Sequence, residues 1–175
     1  MADQPRPHQA PDLVPVELPA RAIPPPETIS HAARAALSAG ASAPALPHLA
    51  PNDLEGWRRA VQASDLAWTP IADQILAASR CKVDEQVLGG VKSYVCTPLA
   101  QAGASRRAAY LYLHGGGFVF GGGRFAMAMG AAAAVRLGVT TVSVDYRMPP
   151  EHPFPAAPED GLAVYHALLE RYDPR

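Results

Sequence analysis

The chain has 175 residues, of which 49% are hydrophobic and 18% charged, enough apolar material for one folded domain with a core. Its formal net charge of -1 and the absence of any basic run remove the electrostatic footprint of a nucleic-acid or anionic-membrane binder. The N-terminus has no apolar h-region, and the longest uncharged stretches are broken by prolines or glycines, so a cytoplasmic location without stable membrane insertion is expected.

Residues 1–26 hold eight prolines among small and polar residues, a composition that packs no core, and read as a flexible leader. The Ala-rich run Glu27–Gly40 predicts a helix closed by glycine. A second helix opens at Asn52, with Glu55 three residues later as in a capping box. Leu54, Trp57, Val61 and Trp68 fall near one stripe, and Pro70 is expected to open a third piece carrying Ile71, Ile75 and Leu76. Residues 27–80 thus form a helical layer, which the Trp57 and Trp68 rings pack onto the main body. The alternative for these two rings is the lining of a lid.

From Cys81 the period changes. Cys81–Leu88 and Val91–Thr97 favour extended chain and are separated by Gly89-Gly90, a two-residue hairpin signal. The two cysteines, Cys81 and Cys96, read as small buried hydrophobes rather than a disulfide or a metal site. A polar linker, Gln101–Arg107, leads to Tyr110–Leu113, which is short, apolar and aromatic and reads as a buried strand. After a glycine-rich loop, Arg124–Leu137 predicts a helix stopped by Gly138, and Val139–Val144 is β-branched and predicts another strand. Pro149–Pro158 holds five prolines and is expected to be loop. Pro158, Glu159 and Asp160 then start a last helix, whose stripe of Val164, Tyr165, Leu168 and Tyr172 faces the core. The order past the hairpin alternates as an α/β sheet does.

The chemistry concentrates in His114-Gly-Gly-Gly-Phe-Val-Phe-Gly-Gly-Gly123. A G-x-G-x-x-G cradle would need glycine at 120 or at 126, where the chain has Phe120 and Ala126, and a P-loop would need Gly-Lys-Ser/Thr where Arg124 and Phe125 follow. Nucleotide binding is therefore set aside. His114, His152 and His166, with Asp145, Glu151, Glu159 and Asp160 near them, form neither H-x-x-x-H nor H-E-x-x-H, so no metal and no cofactor is expected. What survives is an oxyanion hole, a rigid set of backbone N–H groups aimed at the oxygen that becomes negative when a carbonyl is attacked.

His114-Gly-Gly-Gly-Phe-Val-Phe-Gly resembles the HGGG motif of the hormone-sensitive-lipase branch of α/β-hydrolases, and Asp145-Tyr-Arg-Met-Pro-Pro-Glu-His-Pro-Phe-Pro-Ala156 resembles the segment after the fourth strand in the same branch, with Pro149 in place of the usual alanine. The resemblance covers residues 81–172. It implies Gly116 and Gly117 as N–H donors, Gly115 shaping the turn, and His114 bracing the loop through its ring. It also implies a polar support cluster of Asp145, Arg147 and Glu151, in which an Arg-carboxylate pair fixes the loop. Residues 27–80 would be the cap and 81–175 the α/β-hydrolase core, acting on small ester substrates with short or medium acyl groups.

The resemblance also fixes what is missing. Hydrolases of this fold carry Ser, then Asp or Glu, then His, with the serine in a G-x-S-x-G elbow after the fifth strand. None of the serines at 30, 38, 42, 64, 79, 93, 105 and 143 sits in that motif. The chain is therefore expected to be the N-terminal half of an esterase, stopping before its nucleophile and inactive alone. In the family the fifth strand lies beside the third, so Tyr110–Leu113 would be an open apolar edge and the chain would fold poorly by itself. The other reading is a non-catalytic binding module that keeps the half-fold. Sequence downstream of Arg175 separates the two: either the frame continues into G-x-S-x-G or it stops.

Overall fold

A computed structural model describes residues 19, 22–41, 48–100 and 108–172. Most of the expected leader, the linker 101–107 and residues 173–175 lie outside the described residues. The chain divides into two compact units, Met1–Pro47 and His48–Arg175. In the first, α1 (His31–Ala41) starts where the Ser30 hydroxyl accepts the Ala33 N–H at 3.2 Å, four residues later than Glu27, and buries none of its residues.

The second unit opens with α2, Leu54–Ala78. Its N-cap is Asp53, not Asn52: the Asp53 carboxylate accepts the Gly56 N–H at 2.8 Å. Glu55 turns outward to Arg58 instead of closing a capping box. The helix also runs straight through Pro70, where a new piece was expected. A proline removes one N–H, here the donor to the carbonyl of Leu66; both residues lie on an exposed face, open to solvent, and the remaining turns carry the helix on.

The hairpin follows the reading. β1 (Cys81–Leu88) pairs antiparallel with β2 (Val91–Pro98), with Leu88 opposite Val91. Gly89 and Gly90 both take positive φ, 56° and 83°, as a primed two-residue turn requires. β3 (Ala109–Leu113) leads to α3 (Gly123–Leu137), which ends at Gly138 in the left-handed region, its N–H on the Ala134 carbonyl. β4 (Thr140–Val144) is buried throughout. α4 spans Ala156–Leu169, so the last helix begins two residues before Pro158. Proline fits there because N–H groups in a first turn have no intrahelical partner.

The four strands make one mixed sheet in the order β1-β2-β4-β3, with β4 antiparallel to β2 and parallel to β3. Alternation along β4 assigns the two layers. Val142 and Val144 pack with Leu88, Val91, Val164 and Leu168 under α4. On the opposite face the Ser143 hydroxyl donates to the Ala126 carbonyl of α3 at 2.8 Å. There Tyr94 and Cys96 pack against Ala126, Ala131 and Ala134, with Cys81 beside them.

Two burial expectations are corrected. β3 is not buried on all sides: among the described strands it has β4 on one side only, and Tyr110 and Leu113 are 44% and 51% exposed. On α4, Val164 and Leu168 face the core and Tyr172 packs against it, but Tyr165 points to solvent at 45% exposure. Helical spacing places 165 a full 100° from 164, outside the narrow stripe that the sheet covers.

Candidate active site

The glycine loop leaves the carboxyl end of β3 and returns at the N-terminus of α3, where open α/β sheets place their sites. Three successive peptide carbonyls in it are anchored from the protein side. The Tyr146 hydroxyl donates to the His114 carbonyl at 2.6 Å. The Gly115 carbonyl lies 3.0 Å from Nδ1 of the His114 ring. The Gly116 carbonyl accepts the N–H groups of Val119 and Phe120 at 3.2 and 3.0 Å.

A trans peptide holds its C=O and N–H in one plane pointing in opposite directions, and the only cis peptides among the described residues precede Pro150 and Pro155. Anchoring each carbonyl therefore turns the next residue's N–H the other way. The N–H groups of Gly115, Gly116 and Gly117 hydrogen-bond to no other described residue, and Gly115 and Gly117 are exposed. Only glycine fits Gly116: φ is +127°, and a Cβ there would sit 2.0 Å from the Phe120 carbonyl oxygen. Phe118, with φ +59°, is the one described non-glycine residue in the left-handed region, and it is 62% exposed. Strain of this kind gathers at working sites.

His114 is buried, 4% exposed, and its ring stacks on that of Tyr146 with centroids 4.1 Å apart and planes within 5°. Burial holds the imidazole below the ordinary histidine range, against the Gly115 carbonyl and Asp145, which favour the charged form. A neutral ring with its Nδ1 committed is suited to bracing the loop.

The expected support residues do not meet as one cluster. Asp145 caps the return of the loop, accepting the Gly123 N–H at 2.7 Å and the Tyr94 hydroxyl at 2.9 Å. Arg147 pairs with neither Asp145 nor Glu151. Its Nε lies 3.0 Å from both carboxylate oxygens of Asp160 and its Nη2 2.8 Å from one, while its own N–H reaches the other at 2.8 Å. The Arg-carboxylate pair thus ties the segment after β4 to the N-terminal half of α4, because Asp160 is the carboxylate that α4 buries under it. Burial pushes the Asp160 carboxyl up, but these hydrogen bonds outweigh it and hold the group below the ordinary aspartate value. Glu151 reaches outward to Arg58 of α2 at 2.7 Å.

Tyr146 and Asp160 are the supports that sequence reasoning missed. Tyr146 lay in plain view inside the second motif, between two residues that were assigned.

α2 lies over this loop. Trp57 faces Phe120 at 6.5 Å and Trp68 faces Phe125 at 4.7 Å, so both rings pack the helix onto the body. Arg124 pairs with Asp73. Between them a cleft of about 260 Å³ is lined by Val61, Asp65, Val119, Asp145 and Met148. The serine hydroxyls at 79, 93 and 143 bond to the backbone carbonyls of Leu76, Val91 and Ala126. Cys81 and Cys96 are free thiols, and burial pushes the Cys96 thiol up to about 12, so neither is an activated nucleophile.

Residues 110–175 match a family model described as the alpha/beta hydrolase fold. The chain is 43% identical over 61 residues to an acetyl-hydrolase of Streptomyces hygroscopicus, covering 35% of this chain and 20% of that protein. It is 52% identical over 66 residues to esterase LipI of Mycobacterium tuberculosis, covering 34% and 19%. Its fold matches the crystal structure of an esterase E25 with a TM-score of 0.74 at 30% identity, over 89% of this chain and 48% of that one. A hormone-sensitive lipase from a metagenome library matches with a TM-score of 0.56 at 26% identity, over 77% and 39%. The match thus spans about a fifth of these curated relatives and under half of these solved chains.

Proposed function

We propose that this chain, whose fold and sequence resemble the N-terminal half of the hormone-sensitive-lipase-like α/β hydrolases, supplies the oxyanion-binding half of a carboxylic ester hydrolase. The observation that carries this is the run of three anchored carbonyls, which leaves the Gly115, Gly116 and Gly117 N–H groups outward and without partners among the described residues. Such donors are held in place before reaction and meet the charge as it develops on a carbonyl oxygen, typically worth on the order of 10² to 10³ in rate each. Asp145, Tyr146 and His114 hold the loop, Arg147 fixes the segment that carries Asp145 and Tyr146 to α4, and none of the four is assigned a contact with substrate. α2, over the loop, acts as part of the cap. Acyl-serine chemistry then takes its nucleophile, base and acid from polypeptide beyond these residues, and the substrates are small esters with short or medium acyl groups.

The test is turnover of p-nitrophenyl acetate and butyrate. The 175-residue chain is expected to give no turnover sensitive to a serine-directed phosphonate, and a frame extended through a G-x-S-x-G elbow is expected to gain it. Serine-sensitive turnover by the chain itself, or an inert extended protein with an intact triad, would overturn the proposal. The commitment of Ser79, Ser93 and Ser143 to backbone carbonyls favours one other reading, a non-catalytic module that keeps the loop for binding. A stop codon directly after Arg175 in the genomic DNA would favour that module.

A further inference from the structure

The second glycine cluster, Gly121-Gly122-Gly123, has no role in the chemistry above. Gly121 is buried with φ +87°, and a Cβ on it would lie 2.6 Å from the Gly115 carbonyl oxygen and 3.3 Å from Nδ1 of His114. We propose that Gly121 is a positioning residue: its bare α-carbon and the His114 ring form a socket that accepts the Gly115 carbonyl and so sets the direction of the Gly116 N–H. The socket specifies a tautomer. Nδ1 faces two oxygens, the Gly115 carbonyl at 3.0 Å and the Tyr146 hydroxyl at 3.3 Å, and that hydroxyl has given its only hydrogen to the His114 carbonyl. A lone pair on Nδ1 would face lone pairs on both, so Nδ1 carries the hydrogen and donates it.

Nε2 is then a bare acceptor. It is buried without a hydrogen-bond partner among the described residues, and the opposite tautomer would bury an unpaired N–H there, the rarer and costlier defect. A methyl group at 121 takes the space of the Gly115 oxygen. The peptide between Gly115 and Gly116 then rotates, its N–H turns inward onto Nδ1, and the ring moves its hydrogen to Nε2. The consequence for rate rests on the oxyanion-hole reading, but the socket does not.

The experiment is a long-range proton-nitrogen NMR correlation on the ¹⁵N-histidine-labelled 175-residue chain, every sample carrying Tyr110→Lys at the exposed β3 edge to hold it monomeric, with His114 assigned by its loss in His114→Asn. The chain otherwise wild type is expected to give the Nδ1–H pattern. Gly121→Ala is expected to lose it for Nε2–H while keeping a dispersed amide spectrum. Gly115→Ala, whose added Cβ meets nothing within 4 Å, is expected to keep the Nδ1–H pattern. An Nε2–H pattern in the otherwise wild-type chain, including that of an unfolded histidine, overturns the proposal, as does a folded Gly121→Ala that retains Nδ1–H. If Gly121→Ala does not fold, the Gly116 amide resonance decides. Both variants lose the ring current of the imidazole, but His114→Asn keeps a donor near the Nδ1 position and is expected to shift that resonance less than His114→Leu. Equal shifts in both would sink the socket. Every readout is independent of ester turnover, so failure here and failure of the esterase reading are told apart.

Discussion

The hydroxyl of Tyr146 donates to the backbone carbonyl of His114 at 2.6 Å while its ring lies flat against the imidazole, 4.1 Å away between centroids. One residue of the second motif thus holds the first residue of the glycine loop by an edge and by a face, and both partners are buried. Tyr146→Phe keeps the stack and removes the hydrogen bond, leaving the His114 carbonyl short of its closest donor. The expected cost is roughly 1–3 kcal/mol, the range for a buried group deprived of its partner. Urea unfolding checks it: the midpoint should fall at unchanged slope, and a midpoint within error of wild type would show that the stack alone carries the contact.

That contact also marks the limit of what the sequence discloses. Gly89-Gly90, Gly138 and the β-branched run before Asp145 were legible because each states a local backbone requirement. The two motifs were legible because their chemistry needs those residue types in that order. Tyr146 and Asp160 were not, since their partners, His114 and Arg147, lie 32 and 13 residues away and no local pattern encodes them. Pro70 misled because propensity counts one lost N–H, whereas the 25-residue helix around it also packs Trp57 and Trp68 on the body. The buried strand that the apolar run at Tyr110–Leu113 suggested is in fact an edge strand among the described strands, and its open edge was legible only through the strand order of the resembling family, which no local pattern states.

Asp160 is the buried end of the clamp on Arg147. Its carboxyl is held below the ordinary aspartate value, so its contribution to stability is full above the unfolded pKa and is lost as pH falls through the lowered folded value. Asp160→Asn is expected to cost roughly 1.5–3 kcal/mol at pH 7, the scale of hydrogen bonds to charged groups. It should also flatten the acid limb of a stability-versus-pH curve. An acid limb unchanged in the variant would show that other carboxylates set it.

Asp65 on α2 behaves in the opposite sense. Although its surface is largely exposed, partial desolvation against the cleft, and then Asp145, raise its carboxyl above the ordinary value. The favoured form is the neutral one, so its benefit is present below the unfolded pKa and disappears as pH rises through the raised folded value. Asp65→Asn imitates the neutral form. Its melting temperature is expected to exceed that of wild type at pH 7 and to converge with it at pH 3. Parallel melting curves at both pH values would place Asp65 outside the field of Asp145.

β3 presents Tyr110 and Leu113, 44% and 51% exposed, along an edge that no described strand covers. An apolar strand with unpaired N–H and C=O groups is a template for another chain, and natural sheets blunt such edges with charge. The 175-residue chain is therefore expected to self-associate at micromolar concentration, and Tyr110→Lys to shift it toward monomer. Lysine suits this position because the tyrosine is already half in solvent, so an ammonium can reach water along its own stem. Light scattering behind size exclusion reads the mass directly. A wild-type chain that stays monomeric across the concentration series, or a lysine variant with the same mass distribution, would show that this edge is not the adhesive surface.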